Sequence, residues 1–329
     1  MDKIDLSILI PTYNQERYIV TALNSVLAQK TKYTYEVLVG EDASTDGTRA
    51  VLEQYEAKHP HKIKVYYREV NLGASNAPLS NHMDLYNRAS GKYVIFLEGD
   101  DYWLDENKLS VQIDFLENHP EYIAVAHNCI TVDADGRKRK ERYIECKDTE
   151  YTLKHYLNNI LPGQLATVMM RNIYKIDGFP TYMWEKRLVP GDRIFYFTLL
   201  ANGKIYCIQR PMSAYRHVIS GGSSFSANVR YNFSGDEYWH KELLDYARCT
   251  GKKSFIICAE TLYFACLVRG GMHNAIDFKR FRICFSAINN KLSVLKNFIL
   301  VYPSVACKVA HRRSLTRIED YWRKHCAFR

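Results

Sequence analysis

Residues 92–101, KYVIFLEGDD, set an apolar run against three carboxylates within four positions: Glu98, Asp100 and Asp101. A short run rich in β-branched and aromatic residues reads as a buried strand. The acidic turn behind it has two readings, a solvated turn or one wall of a site for something cationic, because crowded carboxylates repel unless a positive charge offsets them. The neighbouring text decides between them. DLSILI (5–10) reads as a strand stopped by Pro11, YEVLVG (35–40) as a second, IKVYYRE (63–69) as a third and KYVIFL (92–97) as the fourth. Between them Ile19, Val20, Leu23, Val26 and Leu27 recur at helical spacing, TRAVLEQYEAKH (48–59) follows an N-cap candidate at Asp46, and a further helix is predicted over 79–89. Strands alternating with helices argue for parallel βαβ units, whose ligands bind beyond the carboxyl ends of the strands. Residues 11–14, 41–48 and 98–101 all fall at such ends, so three polar loops converge on one crevice.

Further along, 102–118 is predicted helical with Leu109, Ile113 and Leu116 on one face, and 122–132 is a strand running to the turn DADG. A less regular middle, with LPGQLATVMMR (161–171), leads to a second acidic site, VPGDRIFYFTLL (189–200). The strand KIYCIQ (204–209) then precedes YRHVISGGSSF. From about 236 the chain becomes helical, basic and cysteine-rich. The boundary falls between 225 and 240, giving domains 1–230 and 231–329.

The 329 residues, 47% hydrophobic and 25% charged, describe an ordinary globular protein. The formal charge of +9 is uneven: residues 1–240 are slightly acidic and 241–329 carry 17 Lys and Arg against 6 Asp and Glu. That segment is either a helical region with a solvated basic face or a docking surface for an anionic membrane. No nucleic-acid motif accompanies the charge, so nucleic acid is not an expected partner. Nine cysteines without a CxxC pair read as free thiols in a reducing compartment. MDKIDLSILIP leads straight into a strand, and the longest nearly apolar stretch, 254–268, is short and contains Glu260. The expected location is cytoplasmic, at most peripheral on the cytoplasmic face of the inner membrane.

Carboxylates at a strand end suit a hard divalent cation whose shell is completed by phosphate oxygens. Such a cation offsets charge on a departing diphosphate. SILIPTYNQERYI, EDASTDGT, NLG and GKYVIFLEGDDYW, in this order, resemble the motifs of family 2 glycosyltransferases over roughly residues 5–225. The resemblance implies a GT-A fold, an α/β architecture with a Rossmann-like, mostly parallel sheet flanked by helices, here followed by a C-terminal helical region. It implies an inverting enzyme that uses a nucleotide-sugar donor, expected to be UDP-linked, and Mn²⁺ or Mg²⁺. Its acceptor would be a glycan or a lipid-linked precursor of bacterial surface polysaccharide.

Residue by residue, the resemblance puts Pro11, Thr12, Tyr13 and Glu16 around the base and ribose, Asp42 on the base, and Asp46 as a loop organiser. Asp100, with Asp101 beside it, would stand at the metal and diphosphate, and Glu98 takes the place of the first Asp of the family's DxD. Many relatives carry an Arg-Asn pair where this chain has His82 and Met83. Asp192 of VPGDRIFYF would be the general base, although an Asp opening a helix is also a good N-cap. Arg216 would pair with phosphate and His217 would complete the metal shell or bind diphosphate; Gln164 would contact acceptor. A nucleotidyltransferase would need a Gly-rich basic loop after the first strand, which PTYNQERY does not supply. A non-catalytic sugar-nucleotide or glycan-binding module would have no use for both EGDD and Asp192.

Overall fold

The computed structural model describes residues 3–71, 77–141, 143–175, 191–217 and 232–303; the Ser-Gly run after His217 and the basic cluster at 311–313 lie outside them. The chain divides into two compact units, Met1–Tyr156 with Ile160–Val229, and Arg230–Arg329 with Leu157–Asn159.

The first unit opens with the predicted alternation: β1 (Leu6–Thr12), α1 (Glu16–Leu27), β2 (Tyr35–Glu41), α2 (Thr48–Lys58), β3 (Ile63–Tyr67), α3 (Ala77–Arg88) and β4 (Tyr93–Phe96). These strands lie in the order β3-β2-β1-β4, and all three pairings are parallel. Every residue of β1 is buried, as expected for a strand covered on both faces. Helix α1 packs on the sheet through Ile19, Ala22, Leu23 and Val26, while Val20, expected on that face, is exposed. Pro11 does not stop β1. Its carbonyl accepts from Gly99 N, so its nitrogen faces the side where β4 has already ended and no ladder bond is lost.

The second half of the unit contains β5 (Tyr102–Trp103), α4 (Lys108–Asn118), β6 (Tyr122–Val132), β7 (Glu150–Tyr151), α5 (Leu153–Leu157), a 3₁₀ turn (Leu165–Thr167), β8 (Met169–Arg171), α6 (Gly191–Asn202) and β9 (Lys204–Arg216). The sheet continues β4-β8-β6-β9-β5, with β7 also on β9. Of these pairings only β6-β9 is parallel, so the expected mostly parallel sheet holds for its first half and turns mixed beyond β4. The helix expected from 102 starts only at Lys108, because Tyr102 and Trp103 pair with Ala214 and Ser213 at the sheet edge. Likewise β9 runs past 209 to Arg216; register slips against β6 around Asn128 accommodate Pro211.

The second unit is helical: α7 (Phe233–Cys249), α8 (Lys253–Met272), α9 (Phe278–Ser286) and α10 (Lys291–Val301). By length and composition α8 could cross a membrane, yet 72% of its apolar window is buried inside the protein. Glu260 in its middle is fully buried and accepts from Asn289 N, Asn290 N and Asn290 Nδ2, which fixes the start of α10. Phe264 of α8 meets Phe281 and Phe285 of α9 and Phe298 of α10. Within this unit α8 is therefore a core helix.

Behind the first sheet, Gln112 of α4 accepts from Lys108 Nζ at 2.7 Å and donates to the carbonyls of Val125 and Thr167, each at 2.9 Å. Nearby His127 is fully buried, with Nδ1 on the Asn128 carbonyl and Nε2 without a partner. Burial, and then the charge of Lys108, hold its imidazole well below the ordinary histidine range. A histidine kept neutral in the fold takes up a proton on unfolding, so its contribution to stability is lost as pH falls below about 6.5. Relative to a His127→Phe variant, the wild type should therefore lose roughly 1.4 kcal/mol per pH unit below that point. Urea unfolding of both proteins at pH 5.5, 6.5 and 7.5 checks this; parallel pH profiles would contradict it.

Candidate active site

The loops after β1 and β2 are stitched together. Asp42 N donates to Thr12 O at 3.0 Å, Asn14 N to Ser44 Oγ at 3.0 Å, Thr45 N to Asn14 Oδ1 at 2.8 Å and Gln15 N to Thr48 Oγ1 at 2.8 Å. Glu16 and the second loop cap each other: Glu16 N donates to Asp46 Oδ2 at 3.1 Å, and Gly47 N donates to Glu16 Oε2 at 2.9 Å. Burial opposes ionisation of Asp46, but the bonds from Thr48 and Glu16 outweigh it and hold the carboxyl below its usual range. Asn14 and Ala43 sit at φ of 51° and 57°, a left-handed conformation costly for alanine. Asp42, 4% exposed, lies between these bends, and Arg68 Nε is 3.5 Å from its Oδ1.

The EGDD turn meets this wall from the side. Leu97 N and Gly99 N continue the bonding to β1, and a Cβ on Gly99 would collide with the side chains of Gln15 and Thr12. A larger residue at 99 would force the Gln15 and Thr12 side chains to shift. The three carboxylates then separate into different environments. Glu98 Oε1 lies 2.8 Å from His82 Nε2 of α3. Asp101 is 2% exposed; its Oδ1 accepts from Arg216 N at 2.7 Å and its Oδ2 from Gln164 Nε2 at 2.8 Å. Asp100 is half-buried, and no described side chain bonds its carboxylate. Burial, then the charge of Glu98, push Asp100 up to about 6. Its own backbone N–H and the Arg216 charge offset this only in part, so the turn presents one carboxylate without a side-chain partner among the described residues.

Asp192 lies in the first turn of α6, half-buried, and accepts from Arg193 N at 2.8 Å. Burial raises its pKa above the usual carboxylate value. The Tyr196 hydroxyl ties α6 to the carbonyl of Gly163, next to Gln164. Tyr143 senses both acidic centres: burial, then the charges of Asp192 and, further down, Asp101 raise its pKa. Its ring packs edge-on against Tyr215 at 5.3 Å. Tyr143 therefore lies within electrostatic range of both Asp192 and Asp101.

The model of the family described as glycosyl transferase family 2 matches residues 7–177. The chain belongs to glycosyl transferase family 2. A protein of Mycobacterium tuberculosis is 38% identical over 217 residues, 66% of this chain and 60% of its own length, so the chain spans about three fifths of that relative. Poly(ribitol-phosphate) β-N-acetylglucosaminyltransferase TarS of Staphylococcus aureus is 35% identical over 114 residues, 34% of this chain and 19% of that protein. Among solved structures, residues 1–349 of TarS, crystallised with UDP-GlcNAc, superimpose with a TM-score of 0.62 at 20% identity, covering 94% of this chain and 92% of that one. The fold is that of the GT-A glycosyltransferases, with a C-terminal helical region.

Within this family 2 fold several of the expected site residues are engaged in bonds to the protein itself. Asp101, expected to share a metal, spends both oxygens on Gln164 and Arg216 and serves as a buried pin. Gln164, expected at the acceptor, is buried: its Nε2 holds Asp101 and its Oε1 caps the 3₁₀ turn through Ala166 N. Arg216, expected on phosphate, gives Nε to the Asp100 carbonyl and Nη1 to the carbonyls of Asp133 and Ala134, with its guanidinium 4.3 Å over Tyr18. It clamps the acidic turn to the turn after β6. His217 pairs with Glu141, Nδ1 to Oε2 at 3.7 Å, and no group of three metal-ligating side chains forms among the described residues, so the set Asp100, Asp101 and His217 is not assembled. Thr12 and Glu16 use their polar atoms within the loops, while Pro11 is buried and Tyr13 half-buried beside them. Sequence reasoning gave no role to Arg68 or His82. Arg68 directly follows β3, so the strand-end rule that singled out the other loops also reaches it.

The two aspartates should respond oppositely to amidation. Asp101→Asn sets an amide NH₂ against Gln164 Nε2 or, flipped, against Arg216 N, and should cost about 1–3 kcal/mol. Asp100→Asn removes repulsion without breaking a bond, and should leave stability equal or higher. Urea midpoints of both variants check the assignment; the reverse order would contradict it.

Proposed function

We propose that this chain is a metal-assisted, inverting glycosyltransferase that moves a sugar from a nucleoside-diphosphate donor, a UDP-sugar, to a glycan or lipid-linked acceptor of a cell-surface polysaccharide. The observation that carries this reading is the split within EGDD: one aspartate is sealed as a pin and one is left without a side-chain partner among the described residues. Family membership and the UDP-GlcNAc complex of the TarS fold relative support the donor class. The wall of Asp42 and the stitched loops offers a fixed acceptor, in a buried setting, for the N–H groups of a base.

One carboxylate does not make a metal cage, but it fits a divalent cation whose remaining ligands are diphosphate oxygens and water. Such an ion, Mn²⁺ or Mg²⁺ held at Asp100, supplies Lewis-acid stabilisation of the departing diphosphate. Asp192 takes the proton from the acceptor hydroxyl as its oxygen bonds to the anomeric carbon. The bond from that carbon to the diphosphate breaks with its electron pair on the nucleotide. Burial suits Asp192 to this role by raising its basicity. His82 holds Glu98 aside, so Glu98 is available for ribose contact or for a water of the metal shell.

A panel of sugar nucleotides with Mn²⁺ tests the reading. Turnover of a UDP-sugar is expected, and chelation should abolish it. Asp192→Asn should slow transfer by about 10²–10⁴-fold while UDP affinity by calorimetry stays within about twofold. Full-rate transfer by Asp192→Asn would remove the base assignment. Binding of a donor with no turnover under any acceptor would favour a binding module.

A further inference from the structure

Helix α10 is apolar on both sides. Val294 and Phe298 are buried against the rest of its unit, whereas Leu292, Leu295, Ile299 and Leu300 are 87, 36, 56 and 68% exposed. At 3.6 residues per turn these four aliphatics share one stripe, with Lys296 among them. Exposed large apolar residues elsewhere among the described residues of the chain are scattered, for example Val20, Leu104 and Ile144. Contiguous exposure of this kind marks a contact surface rather than ordinary surface composition.

The neighbouring helix adds charge. α9 has no buried residue, and Lys279, Arg282 and Ile283 share its exposed face. Both helices pack on Phe264, and Lys291 at the start of α10 lies over the ring of Phe285 of α9. Residues 278–303 contain five Lys and Arg and no Asp or Glu. Arg280 is paired with Glu237, and Lys291 is bonded to the carbonyls of Ser286 and Ile288. Lys279, Arg282 and Lys296 form no ion pair with any described residue and are exposed. An aliphatic stripe bordered by unpaired cations fits neither an ordinary soluble surface nor an acidic protein partner alone. It matches a bilayer whose headgroups are anionic and whose acyl region accepts leucine and isoleucine.

We propose that the α9–α10 face seats this chain on an anionic lipid surface, with Leu292, Ile299 and Leu300 entering the headgroup boundary and Lys279, Arg282 and Lys296 meeting lipid phosphates. The core helix α8 stays inside the protein, so the attachment is peripheral and reversible. It is independent of the donor site: loss of membrane binding leaves nucleotide binding intact.

Sedimentation of the full chain with phosphatidylcholine vesicles, with and without one third phosphatidylglycerol, tests this. Strong binding is expected only to the anionic vesicles and should fall as salt is raised. Leu292→Ser/Ile299→Ser/Leu300→Ser and, separately, Lys279→Glu/Arg282→Glu/Lys296→Glu should each weaken it by at least about tenfold. All of these residues are exposed, and helical circular dichroism and a thermal midpoint matching the wild type confirm that each variant is folded. Equal weak binding to both vesicle types would overturn the proposal, as would undiminished binding by both variants. Light scattering that shows a wild-type dimer and a monomeric serine variant would also overturn it, assigning the face to a second copy of the chain.

Discussion

The Asp101 carboxylate joins three segments that are distant in sequence. It sits at the end of β4, accepts the main-chain N–H of Arg216 at the end of β9, and accepts the side-chain amide of Gln164 before the 3₁₀ turn. A buried carboxylate is costly unless donors surround it, and here burial and the neighbouring Asp100 already push its pKa well above normal. Its two bonds therefore fix the geometry, because losing either leaves a charge in a dry place. Arg216 extends the knot by bonding the Asp100 carbonyl and the turn after β6. The unbonded Asp100 owes its position to these neighbours. A flexible acidic turn would hold a cation poorly, whereas one pinned on both sides presents a single carboxylate in a fixed direction.

The wall formed by the loops after β1 and β2 follows the same logic, with carboxylates and neutral groups together. Reciprocal bonds between the loops after β1 and β2 hold Asn14 and Ala43 in left-handed backbone conformations. Strain of this kind persists only where the surroundings over-determine it, and it clusters at ligand sites. Asp42 is then aimed by its loop, with Arg68 close to one oxygen. Both halves of the site are thus set before any ligand arrives, which lowers the ordering cost of binding.

Much of this was legible in the chain itself. The apolar strands and helical spacing up to residue 97 defined the parallel half of the sheet, since burial on both faces leaves a strong pattern. The positions of Asp42, Asp100 and Asp192 followed from the strand-end rule and the family motifs. The second half was less readable. Tyr102 and Trp103 pair with a strand more than a hundred residues away, and no local signal announces that. The division of labour between Asp100 and Asp101 was equally hidden, because adjacent aspartates look alike until their partners are known. Arg216 and Gln164 show why such roles are hard to read: a polar side chain near a site can bind the ligand or hold the site together. Only hydrogen-bond accounting distinguishes the two.

The central claim, that Asp100 serves the ligand while Asp101 and Arg216 serve the fold, is tested most directly by a crystal structure with UDP and Mn²⁺. The account predicts the metal on Asp100 and the diphosphate, the uracil against Asp42, and Asp101 still bonded to Gln164 and Arg216. Metal coordinated by Asp101, or the Arg216 guanidinium turned from its carbonyls onto phosphate, would contradict it.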